Sequence, residues 1–179
     1  MRVLVAYASR HGATEGIAER IAVTLRSSGL DAEARSARTV RDVAGYDAFV
    51  VGSAVYMFRW LGEADAFVRR YRPSLTSHPL WLFTSGPLGT EPVNAQGRDQ
   101  REASMPRGLA TLATSLGARD LHVFFGAYER DRRPVGLAER FLALLPAARE
   151  GLPEGDFRDW GEIEAWAAAV ARDLAVPVA

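Results

Sequence analysis

The chain of 179 residues has no cysteine and no lysine, carries no net charge, and contains no apolar run approaching the length of a membrane span. Without cysteine there are no disulfides, no thiol redox centres and no cysteine-ligated iron–sulfur clusters, so any electron transfer has to run through a bound organic cofactor. The lack of lysine excludes Schiff-base chemistry, a P-loop lysine and a lysine general base, and leaves arginine as the strong cation. The 22 basic residues balance 22 acidic ones, so no overall field draws the chain to nucleic acid or an anionic membrane. Residues 1 to 8 open a strand rather than a signal peptide, and the expectation is a soluble, cytoplasmic protein. His11, His78 and His122 are scattered without the spacing of a metal site, and nothing reads as a nucleophile elbow. With 48% hydrophobic residues, the length suits a single domain, residues 1–179, with a sizeable core.

What is present starts with Val3-Leu-Val-Ala-Tyr7, an apolar run that ends in small and hydroxylated residues just where an amphipathic helix begins. Ser9-Arg-His-Gly-Ala-Thr14 therefore reads as an anion site, in which the N–H groups of a glycine turn and a helix N-terminus converge and Ser9 and Thr14 add hydroxyls. A mononucleotide phosphate is the natural guest. The segment lacks the Walker lysine and the G-x-G-x-x-G of a dinucleotide loop, so ATP, GTP and NAD lose their usual signatures.

Strands and helices alternate beyond it. Strands are predicted over 2–8, 31–37, 48–53, 79–85 and 120–126, and helices over 14–28, about 62–72, 105–116 and 158–174. Such short apolar strands joined by helices imply an α/β three-layer sandwich with a five-stranded parallel sheet of order 2-1-3-4-5, its ligand at the carboxyl ends of strands one, three and four. Two segments break the alternation: a polar loop over 86–104, and an insert over 127–157 before the last helix.

Each strand end facing that crevice carries ligand-type chemistry. After the third strand, Ser53-Ala-Val-Tyr-Met-Phe-Arg-Trp60 offers the flat faces of Tyr56, Phe58 and Trp60, with Ala54, Val55 and Met57 between them. After the fourth, Ser85-Gly-Pro-Leu-Gly89 lets the backbone approach a planar ligand and donate hydrogen bonds to its edge. One phosphate cradle and two flanking loops suit a flavin.

Together with Phe125-Gly126 and the terminal Gly155-Asp-Phe-Arg-Asp-Trp160, these motifs resemble the flavodoxin superfamily over the whole chain. The resemblance is narrower to flavodoxin-domain proteins of the menaquinone-dependent protoporphyrinogen IX dehydrogenase type. It implies FMN as cofactor, with Ser9, Arg10, His11, Gly12, Ala13 and Thr14 around the phosphate, Ser53 to Trp60 on one side of the ring, and Ser85, Gly86, Pro87, Leu88 and Gly89 on the other. It departs at Phe58, where relatives commonly carry glycine; a ring there covers, shifts or displaces the flavin.

Fold alone does not choose between carrier and enzyme. The neutral charge and acid-poor flavin loops disfavour a low-potential carrier and favour an FMN-dependent oxidoreductase, since a reduced flavin anion is less destabilised. Arg98, Arg101 and Arg107 in or beside the long loop, and Arg130, Arg132 and Arg133 in the insert, are candidates to clamp an anionic substrate; a solvated basic face is the competing reading. The resemblance supplies a tetrapyrrole-like donor and a quinone acceptor. Leu137, Phe141, Leu142, Leu144 and Leu145 of the insert are open to a quinone, a membrane surface, a homodimer partner or plain packing. The alternatives are a flavodoxin-type electron-transfer protein and a binding module that has lost FMN, with Phe58 as support for the latter.

Overall fold

In a computed structural model of the chain, which describes residues 1–93, 96–129 and 153–176, a central parallel sheet is covered by helices on both faces. Strands β1 (Arg2–Ala8), β2 (Asp31–Ser36), β3 (Ala48–Tyr56), β5 (Leu80–Ser85) and β6 (Asp120–Phe124) pair in the order β2-β1-β3-β5-β6. A two-residue strand, β4 (Arg59–Trp60), folds back antiparallel on β3, so the five parallel strands keep the order expected from the sequence.

Both faces of the sheet are apolar because successive side chains point to opposite sides and neither side meets water. Val3, Val5, Val50, Trp81 and Phe83 join one core cluster with Ile17, Ile21 and Leu25 of helix α1 (Ala13–Ser27) and Ile163, Trp166 and Val170 of α5 (Trp160–Ala175). Leu4, Ala6, Phe49, Val51, Leu80 and Leu82 join the other with Phe67 and Leu75 of α2 (Gly62–Ser77) and Leu109 and Leu116 of α4 (Leu109–Leu116). At the sheet centre Gly52 lies opposite Phe83 in register, and a Cβ on it would stand 2.1 Å from the Phe83 ring. That glycine is required by close packing rather than by backbone angle.

Five boundaries differ from expectation by two residues or more. Strand β3 runs on to Tyr56 instead of ending at 53, because Ala54 pairs with Ser85 of β5 and Val55 and Tyr56 pair with β4. Helix α2 does not stop before Pro73 but continues to Ser77, with a kink marked by the non-helical Tyr71. The proline N–H lost to the helix is absorbed there instead of ending it. The helix expected over 105–116 is replaced by a short α3 (Gln100–Ser104) and by α4, because Pro106 holds Met105 extended and Gly108 takes a left-handed φ of 76°. Strand β6 ends at Phe124, two residues early, and Gly126 donates its N–H to the Pro87 carbonyl at 2.9 Å. The last helix starts at Trp160 rather than 158, where Asp159 caps it by accepting from the Glu162 N–H at 3.0 Å. Of the insert, Ala127–Tyr128 (β7) and Gly155–Asp156 (β8) form a small antiparallel ribbon; Arg130, Arg132, Arg133 and the apolar residues 137–145 lie outside the described residues. No helix among the described residues is long and apolar enough to cross a membrane.

Candidate functional site

Strands β1 and β3 leave the sheet on either side of the point where strand order reverses, and the loops after β1, β3 and β5 meet there. The β1–α1 turn is built by Gly12, which takes a φ of 84° and donates its N–H to Ser9 Oγ at 3.1 Å. Gly12 is also the N-cap of α1, and no side chain caps the helix. The first-turn amides are thus presented without a competing side-chain acceptor, which is the electrostatic condition for anion binding.

Ser9, Arg10, His11 and Ala13 are half-buried around this turn, and the Arg10 guanidinium lies over the Tyr56 ring, 5.0 Å from its centre. Thr14 is placed differently from the expectation that its hydroxyl faces a phosphate. It is fully buried, and its Oγ1 shares a 2.9 Å hydrogen bond with Ser85 Oγ at the end of β5. The pair ties the first loop to the third. A parallel link joins the other two: Thr84 donates to the Ser53 carbonyl at 3.2 Å, and Ser53 Oγ accepts from the Leu61 N–H at 3.0 Å.

The β3–β4 loop is a tight hairpin in which Met57 and Phe58 both have positive φ, 49° and 59°. Two bulky residues in left-handed backbone are strained, and such strain gathers at functional sites. Both side chains are exposed, Met57 at 80% and Phe58 at 53%. Phe58 therefore neither fills a cavity nor joins the core. Ala54, Val55 and Tyr56 are half-buried, whereas Trp60 is 7% exposed within the core cluster on the α2 and α4 side; its indole is committed to packing rather than held out as a flat face.

In the third loop Ser85 and Pro87 are buried and Gly86, Leu88 and Gly89 are half-buried. The Gly86 N–H is spent on the Phe124 carbonyl at 3.2 Å, so it does not serve the ligand edge in the expected way. Leu88 O accepts from Gln100 Nε2 at 2.8 Å, which holds the loop against α3. Of the candidate substrate arginines, Arg98 and Arg107 are exposed, and Arg107 lines a cleft of about 280 Å³ with Arg59, Trp60 and Asp65. Arg101 is taken up by structure: it grips Glu162 with two bonds of 2.7 and 2.9 Å, and Glu162 also meets His122 Nε2 at 2.9 Å.

Two features of the site were not read from the sequence. Tyr7 donates its hydroxyl to Glu15 in the first turn of α1, at 2.5 Å. Burial, then that hydrogen bond and the charges of Glu15 and Glu19, push the phenol well above its ordinary range. Arg158, from the terminal segment, lies on the same turn and donates to the Ala13 carbonyl at 3.2 Å. The conjunction of tyrosine and acid around one turn was visible as Tyr7 and Glu15, eight residues apart; the Arg158 contact had no local signal.

A parallel sheet whose strand order reverses between β1 and β3, with helices on both faces and three loops meeting at the reversal, defines a doubly wound α/β protein. Residues 4–141 match the family model described as "Flavodoxin domain", and the chain belongs to that family. Among solved structures it is similar to an archaeal flavodoxin, at 16% identity and a TM-score of 0.58 over 97% of this chain and 99% of that one. A point mutant of the Pseudomonas aeruginosa flavodoxin gives 15% identity and 0.60 over the same shares. Rubredoxin:oxygen oxidoreductase from Desulfovibrio gigas gives 16% and 0.57 over 97% of this chain and 36% of that one. These likenesses establish the α/β flavodoxin-like fold. A search among curated proteins finds no match.

Proposed function

We propose that the protein binds FMN at the carboxyl edge of the sheet and acts as an FMN-dependent oxidoreductase, taking hydrogen from an anionic organic donor of the protoporphyrinogen type and passing electrons to a quinone. The observation that carries the cofactor assignment is the glycine-capped, side-chain-free N-terminus of α1 at the strand-order reversal. The residues present fit the group. Ser9 Oγ and the first-turn amides of Ala13 and Thr14, at the turn made by Gly12, would hold the phosphate, and Tyr56 to Phe58 and Ser85 to Gly89 would flank the ring. Thr14 acts through its amide, with its hydroxyl bracing Ser85. Bound there, FMN supplies the capacity to take and give one or two electrons, which a chain without cysteine otherwise lacks.

The enzyme reading is supported by the balanced charge and by the exposed Arg59 and Arg107 beside the β3–β4 hairpin, which suit a carboxylated donor. A carrier role is the second reading, favoured by the agreement in length with whole flavodoxins. Loss of FMN is disfavoured by the outward position of Phe58.

Absorbance and fluorescence titration with FMN tests the cofactor, and anaerobic mixing with a reduced tetrapyrrole, with quinone present, tests the reaction. Ser9→Ala with Thr14→Ala is expected to weaken FMN by about 1–3 kcal/mol, through loss of the Ser9 hydroxyl at the phosphate and of the Thr14–Ser85 brace. Unchanged affinity in that double variant places the phosphate elsewhere. Rapid exchange with a ferredoxin-type reductase without oxidation of organic donors replaces the enzyme reading with the carrier one.

A further inference from the structure

Arg158 stands on the segment between β8 and α5 and reaches back 145 residues in sequence to the first turn of α1. The segment is fixed on both sides, by the Phe157 N–H on the Gly126 carbonyl at 3.0 Å and by the Asp159 cap on α5. Asp156 orients the guanidinium through Nε at 2.7 Å and a terminal nitrogen at 2.5 Å, and the Trp160 ring lies beside it, its centre 4.4 Å away. The remaining nitrogen donates to the Ala13 carbonyl. Only 16% of the side chain is exposed, whereas Asp156 is 47% exposed, so the cation faces the helix and its counter-ion faces water.

Gly16 makes room for this arrangement. A Cβ on it would stand 2.7 Å from the Arg158 nitrogen that meets Ala13. Its φ is not in the left-handed region, so the absence of a side chain serves the arginine and not the backbone.

We propose that Arg158 is a positioning residue of the phosphate loop, fixing the first turn of α1 through the Ala13 carbonyl so that a phosphomonoester can settle on the turn. This rests on the FMN reading above. The ligand it selects is the phosphorylated flavin over the bare one.

The test titrates FMN and riboflavin, which lacks the phosphate, against the wild-type chain, Arg158→Ala, Arg158→Lys and Gly16→Ala, with circular dichroism to verify folding. Arg158→Ala is expected to weaken FMN by about 5- to 30-fold and riboflavin by less than about twofold, because only the phosphorylated flavin depends on the turn that Arg158 fixes. Lysine recovers part of the loss. Gly16→Ala, which keeps the arginine but displaces it, weakens FMN with the same selectivity. Equal losses for the two flavins, or unchanged FMN binding in folded Arg158→Ala and Gly16→Ala, overturn the inference alone. If Arg158→Ala does not fold, the Gly16→Ala and Arg158→Lys titrations decide. A wild-type chain that takes up neither flavin overturns the FMN reading, and this inference with it.

Discussion

Met57 and Phe58 place two large side chains at left-handed φ in a turn that ordinarily uses Asn-Gly, and neither core packing nor a filled cavity compensates, because both side chains are exposed. Replacing them with Met57→Asn and Phe58→Gly should therefore raise stability by about 1–2 kcal/mol in urea unfolding, through relief of backbone strain. A loss of stability instead would show that the side chains pack on a neighbour. Tyr7 makes the opposite kind of prediction. Its phenol is held neutral by burial and by the Glu15 carboxylate, so its folded pKa lies above the unfolded value near 10. The sign follows: the contribution is whole below about pH 10 and is lost as pH rises toward the folded value. Tyr7→Phe should cost about 1–2 kcal/mol near neutral pH, and the gap to wild type should narrow as unfolding is measured from about pH 9 to 11. A gap independent of pH would mean the phenol titrates alike in both states. Phe58 stood out in the sequence as a ring at a glycine position, but its strain, that of Met57 and the proton affinity of Tyr7 did not, because these depend on backbone angle and on which way a side chain points.

At the scale of elements, what was legible is what repeats locally. The five parallel strands and α1 follow from runs such as Val3-Leu-Val-Ala and Ile17, Ile21, Leu25, whose spacing already states how many faces are buried. The continuation of α2 through Pro73 and the break between α3 and α4 were not, since there the tertiary surroundings decide whether proline ends a helix, kinks it or separates two. The same divide runs through the site. The Ser9–Thr14 turn is a local motif and was found; the Thr14–Ser85, Arg101–Glu162 and Arg158–Ala13 contacts join residues 71, 61 and 145 apart and carry no periodicity. Gly52 shows how one such contact fixes an element. It faces Phe83 so closely that Gly52→Ala forces the ring or the strand to move, at a cost of about 1–3 kcal/mol for overpacking. Phe83→Leu made in the same chain should return part of that loss, so that the two changes are non-additive in thermal or urea unfolding. Strict additivity would show that the strain is borne by the backbone and not by the ring.

Across the whole molecule the balance of 22 basic and 22 acidic residues leaves steering to local groups. A carrier that recognises its protein partner through a one-signed face gains much of its association rate from long-range attraction, and loses it as salt shortens the Debye length to roughly 8 Å at physiological strength. This chain has no such net field to lose. Its cations near the carboxyl edge are individual arginines, and some of those are already committed, as Arg101 is to Glu162 and Arg158 to Asp156. Reduction of the bound flavin by a large protein partner should therefore change little, by less than about threefold, between roughly 20 and 300 mM salt. On the proposed reading, reduction by a small polyanionic donor should instead slow with salt through a rising KM, because its carboxylates would meet Arg59 and Arg107 in the cleft that these share with Asp65. Arg59→Ala with Arg107→Ala should abolish that salt dependence and leave FMN binding unchanged. Stopped-flow traces at several ionic strengths separate the two cases, and a steep salt effect with a protein partner that survives the double substitution would move recognition to another face of the molecule.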